Sequence, residues 1–235
     1  MIIFPAIDIK DGRCVRLQQG QFDKVAVYSE NPAEVALQWE QKGAKALHVV
    51  DLDGALKGRL VNRETIQEII RTVHIPVQLG GGIRTMEDIE EALNDGVNRV
   101  ILGTSAVKEK GFVQKALKKY GKQIAVSIDA KDGYVAIEGW TKTSQVKAVD
   151  FAKELESLGL KTLIYTDIAK DGMLLGPNFE EIENLMKQIT MDVIASGGIS
   201  SKEHVVKLKA MNVAGAIIGK ALYTNAIWLE ELEEL

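Results

Sequence analysis

The chain repeats itself over half its length. AIDIKDG at 6–12 returns as SIDAKDG at 127–133. Asp51 in HVVDLDGALKG corresponds to Asp167 in IYTDIAKDGMLLG, Gly81 and Gly82 in LGGGI to Gly197 and Gly198 in ASGGI, and Gly103 in VILGTSAV to Gly219 in AIIGKALY, each pair 116 residues apart. Asp8 and Asp129 are 121 apart, so the first half carries five extra residues between its first two strands. Repeats of solenoids run to a few tens of residues, so a period this long marks a duplicated half-domain, with halves of approximately 1–121 and 122–235.

The elements between these landmarks alternate. Short apolar runs are expected as strands at Ile2–Ile7, Ala46–Val50, Pro76–Leu79, Arg99–Leu102, Gln123–Ile128, Thr162–Tyr165, Asp192–Ala195 and Ala214–Ile218. Runs this apolar suit strands buried on both faces, as in parallel sheets. Amphipathic segments between them predict helices over Pro32–Gln41, Arg63–Thr72, Met86–Asn94, Phe112–Tyr120, Ala148–Ser157, Phe179–Lys187 and Lys202–Met211. Asn31-Pro32 and Asn178 supply helix starts, and Gly43, Gly96, Gly121 and Gly159 supply helix stops. Eight strand–helix units predict one α/β domain, a single (β/α)8 TIM barrel closed from two four-unit halves. An open doubly wound sheet is the rival, and a four-plus-four duplication closes more naturally as a ring.

Composition limits the function classes. A net charge of −4 without any dense Lys/Arg block argues against a nucleic-acid partner, and no apolar run approaches a membrane span. The single cysteine, Cys14, fits a reducing compartment, and MIIFPAID lacks the basic start of a signal peptide. The expectation is a cytoplasmic globular protein. No His/Cys/Asp set has metal-ligand spacing, so no metal is expected.

In such barrels chemistry is done at the C-terminal ends of the strands. Asp8 and Asp129 would stand there at equivalent positions, where one carboxyl can give a proton while the other takes one. LGGGI and ASGGI each lead into a helix, and the following strands end in Gly103-Thr104 and Gly219-Lys220. Glycine lets backbone N–H groups approach an anion, and helix N-termini favour phosphate. Two such cups imply a long small-molecule substrate with a phosphate at each end. The alternative is that these glycines only make tight turns. Asp51, Asp53, Asp167 and Asp171 are either ligand contacts or anchors of their loops. His48, His74 and His204 read as structural, Cys14 as inert, and Trp39 and Trp228 as helix packing. Trp140, in the polar loop EGWTKTS, could close over a flat ring of a ligand.

These phrases together resemble the phosphoribosylformimino aminoimidazole carboxamide ribotide isomerases of histidine biosynthesis, over essentially the whole chain. The resemblance implies an Amadori rearrangement of an aminoaldose to an aminoketose on a bisphosphorylated sugar substrate, without cofactor or metal. It implies Asp8 as general base and Asp129 as general acid, with Thr166 hydrogen-bonding the substrate beside Asp167. Gly81, Gly82, Gly103 and Thr104 would hold one phosphate, and Gly197, Gly198, Gly219 and Lys220 the other. Trp140 would stack on the imidazole carboxamide and Arg16 would clamp the ligand. The sister cyclase of the pathway shares the duplicated barrel, but FDKVAVYSENPAEVA and TDIAKDGMLLGPN follow the isomerase pattern. A non-catalytic phosphosugar-binding barrel is the rival from another class. The duplication satisfies the barrel internally, so a monomer is expected, and phosphoribosyl anthranilate stays open as a further substrate.

Overall fold

A computed structural model describes residues 1–18, 21–137, 140 and 142–232. Eight parallel strands close into a barrel: β1 (Ile2–Lys10), β2 (Leu47–Asp51), β3 (Val77–Gly80), β4 (Arg99–Leu102), β5 (Ile124–Lys131), β6 (Thr162–Asp167), β7 (Asp192–Ser196) and β8 (Gly215–Ile218). Each pairs with the next in parallel, and β8 returns to β1 through Ile2 opposite Gly215 and Phe4 opposite Ile217. The chain is a (β/α)8 barrel.

Strand alternation divides the core. One set of side chains fills the lumen, including Phe4, Ala6, Ile101, Ala125, Ile164, Ile194 and Ile217. The other set, including Ile7, Ile9, Leu47, Val49, Leu79 and Val126, packs outward against the helices. Each fully buried Ile or Leu contributes about 1.5–3 kcal/mol. Helix Arg63–Thr72 turns Ile66 and Ile69 inward at a spacing of one turn. Asn31 caps helix Pro32–Gln41 by accepting from the Glu34 amide, and Asn178 caps helix Phe179–Met186 by accepting from that of Glu181. Among the described residues no helix is long and apolar enough to cross a membrane.

The structure departs from the sequence expectation in three places. Strands β1 and β5 run past their aspartates to Lys10 and Lys131, because each turns back into an antiparallel hairpin: Arg13–Gln18 on β1, and Tyr134–Ile137 on β5. Further strands Gln21–Ser29 and Lys142–Lys147 pair antiparallel with these hairpins and extend them. Trp228 is not on a helix and is 48% exposed, with the Lys42 ammonium lying over both its ring and that of Trp39. Of the loop EGWTKTS, Glu138, Gly139 and Thr141 lie outside the described residues.

Candidate active site

Asp8 and Asp129 end inward-facing positions of β1 and β5, strands on opposite sides of the eight-membered ring, and both line one cavity of about 230 Å³ at the C-terminal mouth. Burial raises both pKa values, but the opposing influences differ in kind. The Asp8 carboxylate is held at 2.8 Å by the Arg16 guanidinium, a full counter-charge that pulls its pKa back down. Asp129 has only neutral donors: the Trp140 indole N–H at 2.8 Å, the Ser127 hydroxyl at 2.9 Å, and Thr166. On balance burial holds both carboxyls above their ordinary range; a full counter-charge opposes the rise at Asp8, and hydrogen bonds from neutral donors oppose it at Asp129.

A third carboxyl belongs to the same cavity. Asp171 lines it, and burial together with Asp8 and Asp129 pushes its pKa up to about 6, against the pull of Arg16 and Lys220. Sequence reasoning left this residue among four ambiguous aspartates. Lys-Asp-Gly occurs three times, at 10–12, 131–133 and 170–172. In the first two copies Asp and Gly both have positive φ, as a tight hairpin turn of opposite hand requires. Asp171 does not, and faces the cavity instead.

Gly81, Gly82, Gly103 and Thr104 line the large cavity, and Gly197, Gly198, Gly219 and Lys220 line a smaller one beside it. Packing alone demands four of these glycines, since a Cβ on Gly82 would strike the Arg59 backbone and one on Gly198 the Gly176 carbonyl. At φ +98° Gly81 lies so close to the Asp51 backbone that a Cβ would collide with its carbonyl, and Gly197 at φ +91° stands in the same relation to Asp167. Gly103 differs: nothing lies within 4 Å of where its Cβ would be. The long helices after the Gly-Gly turns also differ from expectation. Thr85 and Asp88 form a capping box that occupies the Arg84 and Thr85 amides, and Ser201 caps the helix Lys202–Ala210. The short helices Thr104–Lys108 and Lys220–Tyr223 carry no side-chain cap, and their Ala106 and Leu222 amides donate to the Gly103 and Gly219 carbonyls.

Arg16 joins the two cavities. It lines both, and its guanidinium reaches from Asp8 to the Gly219 backbone so closely that a Cβ there would strike it. Its Nε is buried without a hydrogen-bond partner. The Lys220 ammonium donates to the Gly172 carbonyl at 2.8 Å, and Thr166 stands beside Asp129 on the cavity wall. Asp167 is not brought to either cavity wall: its carboxylate accepts from Asn178 Nδ2 at 2.7 Å and from the Ala169 amide at 2.9 Å. Asp51 does the same in the first half, accepting from Asn62 Nδ2 at 2.7 Å and from the Gly54 and Val61 amides. Asp53 shares the same Asn62 amide at 2.9 Å.

The family model described as "Histidine biosynthesis protein" matches residues 2–228. The chain belongs to that family. Curated relatives of Acetivibrio thermocellus and Thermoanaerobacter pseudethanolicus are each 57% identical over 235 residues, all of this chain and 99% of theirs. A relative of Oceanobacillus iheyensis is 52% identical over 234 residues, covering 98% of its own length. All three are named 1-(5-phosphoribosyl)-5-((5-phosphoribosylamino)methylideneamino) imidazole-4-carboxamide isomerase.

In this member of the family the histidines divide. His74 is exposed, and His204 accepts the Ser200 amide and packs against the Phe179 ring. His48 lines the large cavity with the catalytic candidates. Cys14 is buried on the Tyr223 hydroxyl at 3.2 Å, its thiol pushed up to about 11 by burial and so not a nucleophile near neutral pH.

Proposed function

We propose that this chain is the aldose–ketose isomerase that its relatives are named as, converting 1-(5-phosphoribosyl)-5-((5-phosphoribosylamino)methylideneamino) imidazole-4-carboxamide to its phosphoribulosyl aminoketose. One observation carries the mechanism: two buried carboxyls, one with a guanidinium and one with neutral donors only, line a single cavity. Asp129, in its protonated form, gives its proton to the ribose ring oxygen while the ring C1–O bond breaks, and the amine lone pair forms the imine. Asp8 then takes the proton from C2. The C–H electron pair becomes the C1–C2 double bond as the C1–N π pair returns to nitrogen, and the enolamine tautomerises to the ketone, its C2 hydroxyl losing a proton and C1 gaining one. Positioned acid–base groups of this kind contribute about 10² to 10⁴ in rate.

The remaining roles follow the cups. Gly81, Gly82, Gly103 and Thr104 hold one phosphate, and Gly197, Gly198, Gly219 and Lys220 the other. Arg16 exchanges its contact with Asp8 for the ligand, and Trp140 leaves Asp129 to stack on the imidazole carboxamide. Thr166 steadies the Asp129 carboxyl, with Asp167 holding the loop behind it. The acting unit is a cytoplasmic monomer built of half-barrels 1–121 and 122–235.

Purified protein supplied with the aminoaldose, a chelator and no partner protein is expected to form the aminoketose. Asp8→Asn and Asp129→Asn are each expected to reduce kcat by several orders of magnitude while substrate still binds. An untouched aminoaldose, with the aminoketose consumed once ammonia is added, would instead make the chain the sister cyclase. Sedimentation at micromolar concentration tests the monomer.

A further inference from the structure

The two halves of the barrel differ in the lumen. Inward positions on β2, β3 and β4 are His48, Gln78 and Arg99, paired in register as His48 opposite Gln78 and Gln78 opposite Arg99. The residues 116 further on are Ile164, Ile194 and Gly215, paired in the same way on β6, β7 and β8. There Ile164 and Ile194 belong to the apolar lumen, and Phe4 packs directly over Gly215. The barrel therefore closes with apolar packing at these three positions. A polar chain at the equivalent ones is not needed for the fold, and buried polar groups cost stability unless every partner is present.

The hydrogen bonds in this chain run in one direction. Arginine can only donate, and Arg99 NH1 reaches Gln78 Oε1 at 3.3 Å, which fixes that amide with its oxygen toward Arg99. Gln78 Nε2 must then donate, and it lies 3.0 Å from His48 Nδ1. Nδ1 is consequently an acceptor without a proton, and the proton of the neutral ring is on Nε2. Burial, with the nearby Arg16 charge, lowers the His48 pKa to about 3, so the ring stays neutral at working pH. His48 lines the same cavity as Asp8, Asp129 and Asp171, one rung deeper than Asp8: Ala6 is opposite His48, and Asp8 opposite Val50.

We propose that His48 is a fixed neutral N–H donor to an oxygen of the reacting sugar, and that Gln78 and Arg99 are positioning residues that hold its tautomer. The inference rests on the isomerase reading for the identity of that sugar. A neutral imidazole suits the task because it polarises a hydroxyl or developing carbonyl oxygen without delivering a proton. No proton is transferred by His48, so the proton balance between Asp129 and Asp8 is unchanged.

The test is Gln78→Glu, which keeps the shape but offers only acceptors on both sides. The Arg99 contact persists, while Nδ1 of His48 must now carry a proton and donate. Long-range nitrogen–proton correlation spectra of the imidazoles, with His48→Gln used to assign the signals, are expected to show Nε2–H in the parent protein and a protonated Nδ1 in the variant. The expected kinetic effect is a fall in kcat of about tenfold or more with KM nearly unchanged, because the phosphates dominate binding. His48→Leu should lose about 10² in kcat, the scale for one lost oxygen-facing donor, and His48→Gln, which keeps an N–H, should recover most of it. Should the buried carboxylate prevent folding, Arg99→Met frees the Gln78 amide to turn and is read in the same way. A parent ring protonated on Nδ1, or a switched tautomer with unchanged kcat, overturns the inference alone. Equal losses in His48→Leu and His48→Gln would also overturn it. A parent protein without turnover would overturn the isomerase reading itself, and the donor's ligand with it.

Discussion

Arg16 and Asp8 form a buried ion pair at 2.8 Å across the hairpin that β1 makes with Arg13–Gln18. The pairing sets the charge of the candidate base. Burial raises the Asp8 pKa and the guanidinium opposes that rise, so removing Arg16 leaves desolvation unopposed. A base works above its pKa, so the acidic limb of the kcat/KM profile should move to higher pH in Arg16→Met. It should move less in Arg16→Lys, which keeps a charge but loses the fork geometry. Asp171 shifts in the same direction, since Arg16 also lowers its pKa. An acidic limb that stays where it was in the Met variant would show that this pair does not govern the base.

Asp171 makes a prediction about stability. Its pKa is raised to about 6, chiefly by burial, so the folded state favours the protonated carboxyl more than the unfolded state does. A group of this kind contributes stability that is fully present below its unfolded pKa and is lost as pH rises through the folded value. Replacing it by the neutral isostere in Asp171→Asn should therefore stabilise the protein at pH 8, by up to roughly 3 kcal/mol. The advantage should shrink toward pH 4. Denaturant midpoints at the two pH values measure it. An equal difference at both would mean that ionisation of Asp171 is not the cause.

Much of this site was legible in the residues, and what was not has physical reasons. The barrel strands were visible because strands buried on both faces are nearly continuous apolar runs. The hairpins were not, although Asp11-Gly12 and Asp132-Gly133 are strong hairpin-turn signals. Lys142–Lys147 is KTSQVK, largely exposed and without an apolar face, so no period marks it. Arg16 entered only through the family resemblance, and its partner Asp8 depends on hairpin register, which brings Asp8 opposite Val15. The Gly-Gly turns were read as anion sites, whereas Gly81 and Gly197 are also demanded by the carbonyls of Asp51 and Asp167. A contact between strand ends 30 residues apart leaves no local trace in a sequence. The Asp51–Asn62 and Asp167–Asn178 bonds, each spanning 11 residues, were the detectable signal, since Asn62 and Asn178 are themselves 116 apart.

Those two asparagines do unequal work, and that inequality can be measured. Asn62 is buried, donates to Asp51 and to Asp53, and accepts the Gly12 amide at 2.9 Å, tying the turn of the first hairpin to the end of β2. Asn178 donates to Asp167 and accepts the Glu181 amide at the start of its helix, and is more exposed. In Asn62→Leu the Gly12 amide loses its partner, and the Asp51 and Asp53 oxygens each lose one of two donors, keeping the Gly54 and Asp11 amides. The expected loss is about 2–4 kcal/mol. Asn178→Leu removes one carboxylate contact and one cap, with an expected loss of about 1–2 kcal/mol. Denaturant unfolding gives the ranking, and amide exchange at Asp11 and Gly12 gives the location, since only Asn62→Leu should speed it. Equal destabilisation, with both amides exchanging as in the parent, would mean that the hairpin turn is held by something other than Asn62.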